Sequence, residues 1–159
     1  LQRPGALEMA ARLSVPVCLM HMQGTPATMQ KAPRYDNLAR EVTEFLRSRI
    51  DACVNAGIDR SHLLVDPGFG FGKTRKHNHT LIGQLRRFSE LGVPLLIGVS
   101  RKAFVRALVQ IDSEEILDEM SALLALLAVD QGAKFVRVHN ARLTRDLLET
   151  HSVLEQTSL

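Results

Sequence analysis

The stretch HLLVDPGFGFGK, residues 62–73, decides the fold. HLLVD (62–66) has the length and apolar content of a buried parallel strand. Pro67 stops further ladder pairing or helix, and Gly68, Gly70 and Gly72 open backbone geometry closed to other residues. A strand that ends in a carboxylate and a glycine-rich turn is the pattern of an α/β sheet, whose ligands bind outside the carboxyl ends of the strands. Working outward, three more such runs appear: VPVCLMHM (15–22), VPLLIGVS (93–100) and KFVRVH (134–139). Helical spacing fills the gaps. Leu38, Val42, Phe45, Leu46, Ile50, Cys53 and Val54 share one face of a helix that Asp36 is placed to cap and Gly57 to end. Leu81, Ile82, Leu85, Phe88 and Leu91 mark a second helix, ended by Gly92. A third runs from about Ser113 to Gln131. Its apolar positions, Ile116, Leu117, Met120, Leu123, Leu124 and Leu127, are too wide for one stripe, so it is buried all round or meets a partner. Asn140 is placed to cap a fourth helix, with Leu143, Leu147, Leu148 and Leu154. A helix end followed by strand–helix four times predicts an α/β fold with a parallel sheet.

Composition narrows the function classes. The chain has 159 residues, the size of one domain, and 45% hydrophobic with 23% charged residues excludes disorder. The longest apolar run, Ala122 to Val129, is too short to cross a bilayer. No signal peptide is expected from the first residues, and the absence of an initiator Met at Leu1 suggests a piece of something longer. The net charge of +3 is scattered and only 4% of residues are aromatic, which disfavours a nucleic-acid binder and leaves an anionic small substrate compatible. Cys18 and Cys53 lie far apart without metal spacing, so a reduced, cytoplasmic compartment is expected.

The four strand ends read HMQG, DPGFGFGK, SRK and RVHN, all polar or glycine-rich, whereas the strand starts are plain. Asp66 fixed at a strand end can accept two N–H bonds from an amidine-like group, as a pterin or guanine offers; the alternative is a turn-forming Asp before Pro. GFGFGKT has neither phosphate-loop nor Rossmann spacing. Ser100, Arg101 and Lys102 open a helical stretch and suit an anion, or else are a cap followed by two solvated charges. Arg137 and His139 share a strand face and suit phosphate or pyrophosphate oxygens; a salt-bridged rim is the alternative. Met20 and Met22 could line a flat apolar pocket or simply be core. His62, His77, His79 and His151 read as surface or cap positions, and Asp36, Glu41, Asp118 and Glu119 as solvated helix charges.

Taken in order, PGALE (4–8), VCLMHMQGTPATMQ (17–30), LLVDPGFGFGKT (63–74), LLIGVSRK (95–102) and QGAKFVRVH (131–139) resemble the dihydropteroate synthase family of the bacterial folate pathway. The resemblance implies a (β/α)8 TIM barrel, of which residues 1–159 are the C-terminal half: strands five to eight with their helices. It implies condensation of 6-hydroxymethyl-7,8-dihydropterin diphosphate with 4-aminobenzoate, releasing diphosphate. By that resemblance Asp66 holds the pterin amino and ring N–H groups, with Met20, Phe71, Gly98, Lys102 and Arg137 around the ring. Arg137 and His139 bind the diphosphate, and Ser100, Phe71 and Lys102 meet 4-aminobenzoate. Lys102, Arg137 and His139 form the catalytic set. The resemblance further implies Mg2+, held by an Asn outside this chain, a cytoplasmic protein that is a homodimer when complete, a sulfonamide target, and no nucleic-acid or membrane partner. A non-catalytic pterin-binding half-barrel and a pterin-barrel methyltransferase subunit are the alternatives. The chain departs from the family pattern at Asn140, where Asp is frequent, and in bulk around Met120 and Ala122. The isolated half is expected to leave the inner faces of Val17, Leu64, Leu96 and Val136, or their neighbours, uncovered.

Overall fold

Strands β1 (Val17–Met20), β2 (Leu63–Asp66), β3 (Leu95–Ile97) and β4 (Ala133–Val136) form one parallel sheet in chain order. This is a computed structural model, and it describes residues 3–109 and 113–157. Helix α1 (Ala6–Leu13) precedes β1, and α2 (Leu38–Asn55) joins β1 to β2. Helix α3 (Arg75–Ile82) and a 3-10 segment, Leu85–Leu91, join β2 to β3. Helices α4 (Ala103–Val109) and α5 (Glu114–Asp130) join β3 to β4, and α6 (Ala141–Thr157) follows. The strand–helix alternation expected from periodicity is therefore present in full.

Local differences have local causes. The second expected helix is two pieces, because Gly83 caps α3 and the remaining turns tighten to 3-10 geometry. Asn37, not Asp36, caps α2: its side chain accepts the Arg40 N–H at 3.2 Å, while Glu41 accepts the Asn37 N–H at 2.8 Å. Glu41 is thus part of the cap and not merely a solvated charge. Ser113 caps α5 and Asn140 caps α6, as expected. In α5 Leu117 is buried whereas Leu123 and Leu127 are 42% and 41% exposed, so the helix is not buried all round.

The sheet has two unlike faces. Leu19, Leu63, Val65, Ile97 and Ala133 are buried on the helix side, together with Val42, Leu46 and Ile50 of α2. The opposite face is set by register, which pairs Cys18 with Leu64, Met20 with Asp66, and Leu96 with Phe135. It carries a lower apolar tier of Cys18, Leu64, Leu96 and Phe135. An upper tier of Met20, Asp66, Gly98 and Arg137 lies at the carboxyl ends. Cys18 is exposed and Phe135 is 51% exposed. The uncovered residues at the two edge strands are therefore Cys18 and Phe135. Val17 and Val136 alternate toward the helices, and an irregularity between Leu95 and Leu96 sets the register of β4.

Candidate active site at the strand ends

Asp66 ends β2 and is buried. One carboxylate oxygen accepts the Gly68 N–H at 2.7 Å. Burial pushes its pKa up, against the opposing pull of that bond and of Lys102, Arg137 and Lys73. The turn after it folds back beneath the end of β1. Gly68 has φ +74, and a Cβ there would stand 1.8 Å from the His21 carbonyl oxygen, so no side chain fits.

Side chains from several elements satisfy the backbone of this turn. Gln30 Nε2 donates to the Gly70 carbonyl at 2.6 Å, and the Tyr35 hydroxyl donates to that of Gly72 at 2.7 Å. Asn78 Oδ1 accepts the Gly70 N–H at 2.8 Å. Lys73, itself buried, lies 3.0 Å from the Gly68 carbonyl, 3.2 Å from that of Phe71 and 2.9 Å from His21 Nδ1. Burial first, and Lys73 second, bring the His21 pKa down to about 3, so its ring is neutral and Nδ1 accepts from Lys73. Burial likewise brings Lys73 down to about 7. Sequence reasoning missed Lys73 and His21 as a pair. The available signal was a lone cation closing an otherwise apolar glycine-rich turn.

Lys102 lies between this turn and the end of β3. Its ammonium donates to the Phe69 carbonyl and sits 4.8 Å from the centre of the Phe71 ring. Burial lowers its pKa to about 8, opposed by Asp66. A cleft of about 590 Å³ opens beside Phe71 and Lys102, with Gln30, Asn78 and Phe104 on its walls.

RVH lies just past β4, and the Arg137 N–H continues the ladder to the Ile97 carbonyl at 2.8 Å. The Arg137 guanidinium lies over Gly98: a Cβ built on Gly98 would be 3.0 Å from Nη2 and 3.2 Å from Nε. His139 Nδ1 is 2.9 Å from Ser100 Oγ, which also accepts the His139 backbone N–H at 3.2 Å. Which of Oγ and Nδ1 donates depends on the ring tautomer, since the hydroxyl can accept twice or donate once.

All eight residues singled out therefore gather at one end of the sheet: Met20, Asp66, Phe71, Gly98, Ser100, Lys102, Arg137 and His139. The reading of Arg101 and Asp118 as solvated charges is corrected. Arg101 Nε and Nη2 donate to the two oxygens of Asp118 at 2.7 and 2.9 Å, and Asp118 is buried. Among the described residues, the grouping able to offer three ligand atoms to a metal is Asp130, His151 and Glu155. It lies where the strands begin, away from Asp66. No described helix is long and apolar enough to cross a membrane.

A parallel βα half-sheet with a buried carboxylate, two lysines, an arginine and a histidine gathered at its strand ends has the architecture of half a TIM barrel. Residues 2–139 match the family described as pterin binding enzyme, and the chain belongs to that family. Its relatives include the dihydropteroate synthase of Haemophilus influenzae, 45% identical over 94% of this chain and 54% of that protein. The dihydropteroate synthase of Escherichia coli is 45% identical over 99% of this chain and 54% of that protein. The dihydropteroate synthase of Yersinia pestis, solved with a sulfonamide drug complex, superposes with a TM-score of 0.93 at 42% identity. It is covered by 98% of this chain over 56% of its own length. The Xanthomonas albilineans enzyme, solved with 4-aminobenzoic acid, gives 0.90 at 44% identity over 98% of this chain and 55% of that one. The chain thus spans about half the length of the curated relatives it matches.

Proposed function

We propose that this chain supplies the pterin- and anion-binding half of a dihydropteroate synthase. The observation that carries the reading is the upper tier of the sheet. A buried Asp66 is paired in register with Met20, and just past the end of β3 the Arg137 guanidinium lies over the side-chain-free Gly98. Asp66 accepts the pterin's amino and ring N–H groups, a pairing that needs the ionised carboxylate. Lys102 and Arg137 favour that ionised form. Met20, Phe71 and the Arg137 plane bound the flat ring, with Lys102 at its edge. Arg137 and His139 face the diphosphate.

In the reaction the bond between the pterin methylene carbon and the diphosphate oxygen breaks, and its electron pair leaves with diphosphate. Fixed donors aimed at that growing charge lower the barrier. The 4-aminobenzoate nitrogen then bonds to the methylene carbon and loses a proton. No protein nucleophile takes part, so holding the amine close is the remaining task. Ser100, Phe71 and Lys102 do so at the carboxylate and ring of 4-aminobenzoate. Magnesium would be held by residues outside this chain. A second copy would cover the exposed Leu123, Leu127 and Val153 of α5 and α6, and the complete protein would work in the cytoplasm.

Asp66→Asn in the complete enzyme tests the reading. An amide meets the pterin donors with one acceptor and a donor of its own, a buried mismatch of about 1–3 kcal/mol. Calorimetry should show pterin affinity falling while 4-aminobenzoate affinity holds. Equal weakening of both ligands would overturn the assignment.

A further inference from the structure

Arg101 sits between two residues of the proposed site, Ser100 and Lys102, yet its side chain points away from the ligand face. Its backbone is left-handed, with φ +55, and its N–H donates to Ser121 Oγ at 3.0 Å. Its guanidinium grips Asp118 of α5 with two bonds and reaches Glu114 Oε2 at 3.0 Å. Asp118 Oδ2 also accepts from Asn140 Nδ2 at 3.2 Å, while Asn140 Oδ1 caps α6 by accepting the Leu143 N–H at 3.1 Å. Asn140 follows His139, which bonds Ser100. The contacts therefore close a ring: Ser100, Arg101, Asp118, Asn140, His139 and back to Ser100.

We infer that Asp118 and Asn140 are positioning residues for anion binding: through Arg101 they lock the end of β3 to the end of β4 and so fix His139 and Arg137 against the departing diphosphate. The inference rests on the diphosphate reading above for its ligand, and on the ring alone for its geometry. The ring is specific in charge. One carboxylate serves one guanidinium, and the amide of Asn140 donates to it without adding charge. Asn140→Asp sets a second carboxylate against Asp118 Oδ2. Asp118→Asn leaves Arg101, among the described residues, with the exposed Glu114 as its one carboxylate partner. Asp118→Asn combined with Asn140→Asp returns a single carboxylate and a single amide across the same gap.

The test measures inorganic pyrophosphate binding by calorimetry in the complete enzyme, and the ring-nitrogen NMR signals of His139, which report its hydrogen bond to Ser100. Each single variant should weaken pyrophosphate by about 10-fold or more and shift the His139 signals, and the double variant should recover most of both. Singles within about 2-fold of wild type, or a double no better than the worse single, would overturn the inference. Should Asp118→Asn fail to fold, the same logic decides: folding rescued by Asn140→Asp supports the ring, and no rescue refutes it. If the unmodified enzyme binds no pyrophosphate, the diphosphate reading fails, and the His139 signals alone still decide whether the ring positions that residue.

Discussion

Gly98→Ala isolates the packing of Arg137 from its charge. The Gly98 backbone does not occupy the left-handed region, so alanine fits the main chain. Its new Cβ would stand 3.0 Å from Nη2, 3.2 Å from Nε and 3.5 Å from Cζ of Arg137. Ordinary contacts of this kind begin at about 3.5 Å, so the guanidinium must retreat by roughly 0.5 Å or more. Arg137 is exposed and can move into solvent, so the fold should lose less than about 1 kcal/mol. The site cannot absorb the shift as easily. Under the proposed function the guanidinium leaves the position where diphosphate charge develops, and the methyl group intrudes on the slot for the pterin ring. A displacement approaching 1 Å costs about 100-fold in rate, or about 2.7 kcal/mol. Pyrophosphate release in the complete enzyme, with a thermal melt beside it, measures both quantities. Adding Gly98→Ala to Arg137→Ala should cost little more if the effect runs through Arg137. A Gly98→Ala enzyme within about 3-fold of wild type and with an unchanged melt would refute the reasoning.

Gly68→Ala should prevent folding or cost several kcal/mol, since left-handed strain of about 1–2 kcal/mol adds to an overlap with the His21 carbonyl that only moving β1 could relieve. Gly5→Ala, at φ +76 with nothing within 4 Å, is the control and should cost only the strain in a urea melt. Lys73 gives a pH signature: folded it binds its proton only below about 7, whereas unfolded it does so below its ordinary 10.5. The unfolded chain holds more protons between those values, so stability should rise with pH across that window, and Lys73→Met should flatten the rise in urea melts. His21 acts at the acid end: with a folded pKa of about 3 against an ordinary 6.5, stability should fall as pH drops through that range, and His21→Gln should lessen the fall.

The upper tier was legible because two simple periods converge on it. Strand alternation puts Met20 and Asp66 on one face, and DPGFGFGK, SRK and RVH mark where strands end. Asn37 and Asp36 are both competent caps, and only the backbone turn chooses between them. The run from Leu81 to Leu91 has spacing that suits α and 3-10 turns alike, so the break at Gly83 was hidden. Lys73 reads as a surface charge until the turn curls under β1 and buries it. Asp118 reads as a solvated charge on α5 because its partner, Arg101, is 17 residues earlier and meets it only once the β3–α4–α5 crossover forms. Distance along the chain hid the ring even though each of its members was in view.

The most direct test of the account is a coupled assay of dihydropteroate formation on the purified 159-residue chain, run alone and with a second chain supplying strands one to four. The exposed lower tier at Cys18 and Phe135 predicts no turnover by the chain alone. Turnover should appear when the complementary half is added, and Asp66→Asn in this chain should suppress it. Substantial turnover by the 159 residues alone would contradict the half-barrel account and require a self-contained active site.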